Sequence, residues 1–113
     1  CFNDYDREWA IVAETTHDQR KRIIGVGRLT RVPGLPQAQY KLVIADAYHH
    51  LGLGTQLMQQ LLHIAKQEKI SIVDGYILSE NTGMLKICKK LGFILQQDQE
   101  SPIVHAQWKA APV

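Results

Sequence analysis

His49-His50-Leu51-Gly52-Leu53-Gly54-Thr55 sits between an apolar strand and an amphipathic helix, and this junction decides the fold. Upstream, Tyr40-Lys41-Leu42-Val43-Ile44-Ala45 is branched and aliphatic with no Gly or Pro, the composition of a strand. Downstream, Leu53, Leu57, Met58, Leu61, Leu62 and Ala65 recur at helical spacing, with Gln56, Gln59, Gln60, His63 and Lys66 on the other face. The spacing predicts a helix over 53–68. A strand that turns through glycines into a helix N-terminus suits an anion. Glycine lets backbone approach a ligand, the first helical N–H groups lack partners, and the helix dipole adds positive potential there. The guest this predicts is a phosphate or pyrophosphate.

Gly-x-Gly alone does not choose among phosphate ligands. The dinucleotide fingerprint needs a third glycine where Leu57 stands, and the P-loop needs a lysine that Gly54-Thr55 lacks. Gly25 and Gly27 do not repair either motif, because they lie in the strand-like run Ile23–Val32 with no helix behind it.

His49-x-x-Gly52-x-Gly54 resembles motif A of the GNAT superfamily of acyl-CoA-dependent N-acyltransferases, Arg/Gln-x-x-Gly-x-Gly/Ala, with His49 in place of the leading residue. A second block, from Glu80-Asn81 to Lys90-Leu91-Gly92-Phe93, resembles the family's later helix, which starts at an Asn and ends in Lys-x-Gly-Phe. Both blocks in order, separated by one helix and one strand, are far more specific than either. The resemblance covers nearly the whole chain. Asp4–Glu8, Ala13-Glu14, Gly25–Arg28 and Glu80–Leu85 look most like the Pat-type protein lysine acetyltransferases.

The resemblance implies acetyl-CoA as acyl donor, no metal, and a primary amine, a protein lysine in Pat-type members, as acceptor. The backbone of Leu51, Gly52, Leu53, Gly54 and Thr55 would grip the pyrophosphate. His49 and His50 would face it, a role for which imidazole is only partly charged near neutrality. By position in the family, Leu42, Val43 and Ile44 would offer backbone to the pantetheine arm. Asn81 suits a helix N-cap on its own chemistry, and in the family the equivalent residue also touches the cofactor. Cys88 occupies the position where many members place a tyrosine that protonates the leaving thiolate.

The base is the main departure. Pat-type enzymes carry Ala-Glu where this chain has Ala38-Gln39, and an amide cannot accept a proton at useful pH. Glu14, Asp46 and Glu80 are the carboxylates on neighbouring elements that could substitute. The rival to an enzyme is a non-catalytic acyl-CoA-binding sensor or regulatory module. A nucleotide-binding regulatory domain follows from the glycine loop alone.

At 113 residues, 45% apolar and 21% charged, the chain reads as one ordinary globular domain. A net charge of +2, with no basic run longer than Arg20-Lys21-Arg22, gives no argument for nucleic acid. No apolar stretch approaches the roughly 20 residues that span a bilayer. Two cysteines make neither a disulfide framework nor a metal site, which suits a cytoplasmic protein. The predicted order is β-β-β-α-β-α-β-β, an α/β (α+β) fold with a mixed, largely antiparallel sheet and helices on its faces. Strands are expected over Trp9–Glu14, Ile23–Val32, Gln37–Asp46, Ile70–Leu78, Phe93–Gln97 and Ile103–Lys109, with Thr15–Arg22 as a hairpin connection and Val26, Leu29 and Ile24 facing the core. GNAT domains normally begin with a further strand and one or two helices. The expectation is a single domain, 1–113, in which these are absent, or which is a fragment, or which builds its acceptor side differently; it is part of a larger chain or a homodimer.

Overall fold

Asp18 and Gln19, at φ 52° and 64°, turn the chain between β1 (Glu8–His17) and β2 (Arg20–Arg31) in a computed structural model that describes residues 8–45, 52–97 and 100–110. Two successive residues in the left-handed region form a type I′-like turn, whose twist matches that of the strands it joins. The ladder therefore runs up to the turn, with Thr15↔Arg22 and Thr16↔Lys21 in register, and no loop spans Thr15–Arg22. β-Branched threonines favour that extended state.

Six strands form one sheet in the order β1-β2-β3-β4-β6-β5, with β3 as Gln37–Ile44, β4 as Ile72–Leu78, β5 as Ile94–Gln97 and β6 as Ile103–Lys109. Every pairing is antiparallel except β3 with β4. Helix α1 (Leu53–Gln67) makes the crossover between those parallel strands, and α2 (Thr82–Lys90) leads from β4 to the β5 edge. The mixed sheet with two helices is the predicted fold class.

Both helices lie on the same face. Leu57, Met58, Leu61, Leu62 and Ala65 of α1 are buried there with Leu29, Ala38, Tyr40, Val73, Ile77, Val104, Ala106 and Trp108 from the sheet and Cys88 from α2. Leu29 faces the core as predicted, whereas Val26 and Arg28 point to the other face. Gly25 and Gly27 hold the core positions instead, because α1 fills their space. A Cβ on Gly25 would meet Leu57 Cδ1 at 3.1 Å, and one on Gly27 would meet Leu61 Cδ1 at 3.3 Å. A register shift at Ala13/Glu14 absorbs Ile24, the bulge that strand glycines invite.

Both helices end in Schellman motifs. Phe93 N–H donates to Cys88 O (2.9 Å) and Gly92, at φ 90°, donates to Lys89 O (3.2 Å). In α1 the corresponding bonds are Ile70 to Ala65 O (2.8 Å) and Lys69 to Lys66 O (3.3 Å), with Lys69 at φ 60° where glycine is usual.

Candidate active site

β3 and β4 are paired only at Gln37↔Ile72, Ala38↔Val73 and Gln39↔Asp74. Beyond Gln39 and Asp74 the two strands part, while β3 stays paired with β2 up to Ile44 and β4 stays paired with β6 up to Leu78. The result is a V whose vertex is Gln39 and Asp74. Tyr40 fills the vertex from the helix side, its ring lying over Gly75, edge-on to Phe93 at a centroid separation of 5.8 Å. Its hydroxyl is 3.5 Å from Cys88 Sγ. Burial raises the pKa of both groups, so each stays protonated at neutral pH.

On the helix side a cleft of about 320 Å³ opens between the diverging end of β3 and the N-termini of both helices. Leu42 and Ile44 form one wall, Gly52, Gly54 and Thr55 a second, and Asn81 to Met84 with Lys86 and Ile87 the third. α1 starts at Gly52, φ 81° and ψ 0°, with no side chain capping it, and its first ladder bond is Gln56 N–H to Gly52 O (3.1 Å). The N–H groups of Leu53, Gly54 and Thr55 precede that bond, at the positive end of the helix. α2 is capped: Asn81 Oδ1 accepts from Met84 N–H at 3.2 Å. Two helix N-termini and Lys86 thus bias one end of the cleft toward anions, while Leu42, Ile44 and Ile87 keep the rest apolar. A long ligand with a phosphorylated head and a thin, uncharged arm suits that gradient.

A profile of the acetyltransferase (GNAT) domain matches residues 2–94. The chain belongs to this GNAT family. It is 29% identical over 104 residues to acetyltransferase PA5475 of Pseudomonas aeruginosa, covering 90% of this chain and 56% of that protein, so it spans little more than half of that curated relative. Among solved structures it resembles the GNAT domain of S. lividans PAT, with a TM-score of 0.77, 18% identity, and coverage of 96% of this chain and 64% of that one. It also resembles the paia N-acetyltransferase of Thermoplasma acidophilum in complex with coenzyme A, at TM-score 0.71, 20% identity, and coverage of 89% and 61%. At these identities the structural likeness shows the GNAT fold.

Of the residues predicted from the sequence to meet the cofactor, Leu42, Ile44, Gly52, Gly54, Thr55 and Asn81 line this cleft. Val43 points to the opposite face of the sheet, 69% exposed, and Leu53 is half-buried beside Gly25. Cys88 is fully buried behind Tyr40 and does not line the cleft. His49, His50, Leu51 and Asp46 lie outside the described residues. Gly54 serves packing as well as approach: a Cβ there would sit 2.7 Å from Ile87 Cδ1 and 3.0 Å from Ile44 Cδ1. Lys86 lines the cleft, whereas Lys89 and Lys90 lie in the last turn of α2, facing its negative end.

The three predicted catalytic positions do not come together. Gln39 is at the vertex, exposed on the face away from the helices. Glu14 lies at the level of Ile23 on β2, whereas Gln39 lies at the level of Thr30, roughly 20 Å along the strand at about 3.3 Å per residue. Glu80 lies past the far end of β4, beside Asn81 at the cleft mouth. The acid that shares the vertex with Gln39 is Asp74, which the sequence reading passed over. Its one signal is a carboxylate within the run Ile70–Leu78, which is apolar apart from Ser71, Asp74 and Gly75.

A second depression, lined by Ile11, Gln56, Gln59, Gln60, His63 and Ile64, lies between α1 and β1. It borders neither α2 nor the parted strands, and Gln56 is the one residue of the first turn of α1 that it touches. Among the described residues no group of three His, Cys, Asp or Glu is placed to hold a metal ion, and no helix is long and apolar enough to cross a membrane.

Proposed function

We propose that this domain binds acetyl-CoA and transfers its acetyl group to a primary amine, a protein lysine being the acceptor that the Pat-type resemblance favours. The observation that carries the reading is the parting of β3 from β4 beyond Gln39 and Asp74, which opens a cleft whose far end, at Ile44, meets the uncapped start of α1. In this reading the pyrophosphate lies on the N–H groups of Leu53, Gly54 and Thr55, and His49, His50 and Leu51 are further cofactor contacts. The pantetheine runs along Leu42–Ile44 toward the vertex, between Asn81 on one side and β3 on the other. The vertex is open on the face away from the helices, so donor and acceptor approach from opposite sides and react in one ternary complex.

The amine attacks the thioester carbonyl carbon, the C–S bond breaks, and coenzyme A leaves. A backbone N–H of the parted β3 edge would polarise the carbonyl oxygen. Tyr40 and Cys88, both held protonated by burial, stand behind the vertex on the side from which the thiolate departs. The work is cytoplasmic on this reading.

Calorimetric titration with acetyl-CoA, followed by a transfer assay on a lysine-containing peptide, tests the reading. Binding with formation of acetyl-peptide supports it, and binding without transfer to any amine supports the sensor, which Gln39 in place of a carboxylate favours.

A further inference from the structure

The cleft between β3 and the helix N-termini stops short of the vertex. Its lining follows β3 from Ile44 to Leu42 and goes no further. The next residue of β3 on the helix side is Tyr40, adjacent to Gln39 at the vertex and 7% exposed. Strand residues two apart share a face, so Tyr40 is in line with Leu42 and Ile44. Its ring stands where a chain that follows those two residues toward the vertex arrives.

The ring is held from several directions. Gly75, the first residue of β4 beyond the last pair with β3, gives it room across the V. Phe93 packs edge-on to it, and Cys88 of α2 lies 3.5 Å from its hydroxyl. Phe93 and Cys88 are themselves buried, so neither yields without disturbing the core. The ring is a fixed stop. It also closes a gap that the backbone leaves open, because β3 and β4 are no longer paired at this level. Without the ring, a void bordered by Gly75, Phe93 and Cys88 would extend the apolar end of the cleft past Leu42.

Resting on the acetyltransferase reading above, we propose that Tyr40 is a specificity-determining residue, whose ring limits the acyl donor to acetyl and its short homologues and excludes medium-chain groups such as hexanoyl. Acetyl carries only a methyl beyond the thioester carbonyl and needs no room past the end of the cleft. A hexanoyl tail that continues the line of the pantetheine arm meets the ring. It then either pushes the ring into a packed core or turns out through the open face of the V. The first is overpacking, and the second leaves methylenes in water that a longer pocket would bury. Tyr40 touches no reacting bond in this scheme. It acts by deciding which donors fit.

The test is calorimetric titration of coenzyme A, acetyl-CoA and hexanoyl-CoA into the natural chain and into Tyr40→Ala and Tyr40→Phe. The natural chain should bind acetyl-CoA at least about 10-fold more tightly than hexanoyl-CoA, the lower end of what a misfitting methylene costs in an apolar pocket. Tyr40→Ala should abolish or reverse that preference, because the tail gains the vacated space. Tyr40→Phe should keep it, because the ring and not the hydroxyl is the stop. A purely structural role for Tyr40 predicts something else: Tyr40→Ala would weaken all three ligands together and leave their ratios unchanged. That result overturns the inference. Should Tyr40→Ala fail to fold, Tyr40→Leu carries the same expectation on a smaller scale. A natural chain that binds hexanoyl-CoA as tightly as acetyl-CoA also overturns the inference, while the acetyltransferase reading stands. A natural chain that binds none of the three overturns that reading, and this inference with it.

Discussion

The ring of Tyr40 occupies the space that Gly75 leaves by having no side chain: a Cβ there would fall 2.1 Å from Tyr40 Cε2. The contact crosses the V at its vertex and couples the packing of the sheet to the shape of the site.

Gly75→Ala should therefore destabilise the domain by about 1–3 kcal/mol through overpacking, and more if the ring cannot tilt. Combining it with Tyr40→Leu should recover part of that loss, because the two positions share one space. Denaturant unfolding of the two single variants and the double variant measures the coupling. Additive losses would mean that the ring and the glycine do not compete.

Gly52 and Gly54 should respond differently, because only Gly52 adopts positive φ and only Gly54 is crowded. Gly52→Val should weaken acetyl-CoA binding by distorting the start of α1 while Tm falls only modestly. Gly54→Leu should lower Tm sharply by driving Ile87 and Ile44 away. Calorimetry and thermal melts on both variants separate the two roles. Equal losses of Tm would erase the distinction.

Lys69→Gly should stabilise the domain by about 1 kcal/mol, because Lys69 holds the left-handed position of a Schellman motif that glycine adopts without strain. Gly92→Ala should have the opposite sign for the same reason. Both sites lie at the C-terminal ends of the helices, so acetyl-CoA affinity should not change in either variant. Guanidinium unfolding gives the two signs directly.

Gln39→Glu should raise kcat no more than a few-fold. A second carboxylate beside Asp74 would compete with it for a proton, as close like charges do. A hundred-fold gain at saturating acetyl-CoA would instead place the missing base at position 39.

Helix α1 was legible from its periodicity, and the Asn81–Phe93 block from its periodicity, cap and terminal glycine together. Asn81 caps and Gly92 terminates its helix as read. Other features were hidden for identifiable reasons. The Asp18-Gln19 turn lacks the Asn-Gly signature, so strands that run up to it looked like loop. Val26 appeared to be a core residue because sequence gives no hint that glycines, filled by α1 leucines, hold the inner face of β2. Gly54 reads as a phosphate contact, and its crowding by Ile87 exists only once the helices have packed. Tyr40 and Gly75 lie far apart in sequence, and only the β3–β4 register makes them neighbours.

Amide chemical-shift mapping of the labelled chain during titration with acetyl-CoA tests the central claim most directly. The account predicts that the largest shifts fall on Leu42–Ile44, Gly52–Thr55 and Asn81–Met84, on both sides of the V, with β1 and β5 nearly silent. Shifts confined to the depression beside Ile11, Gln60 and His63, or no saturable shifts, would contradict it.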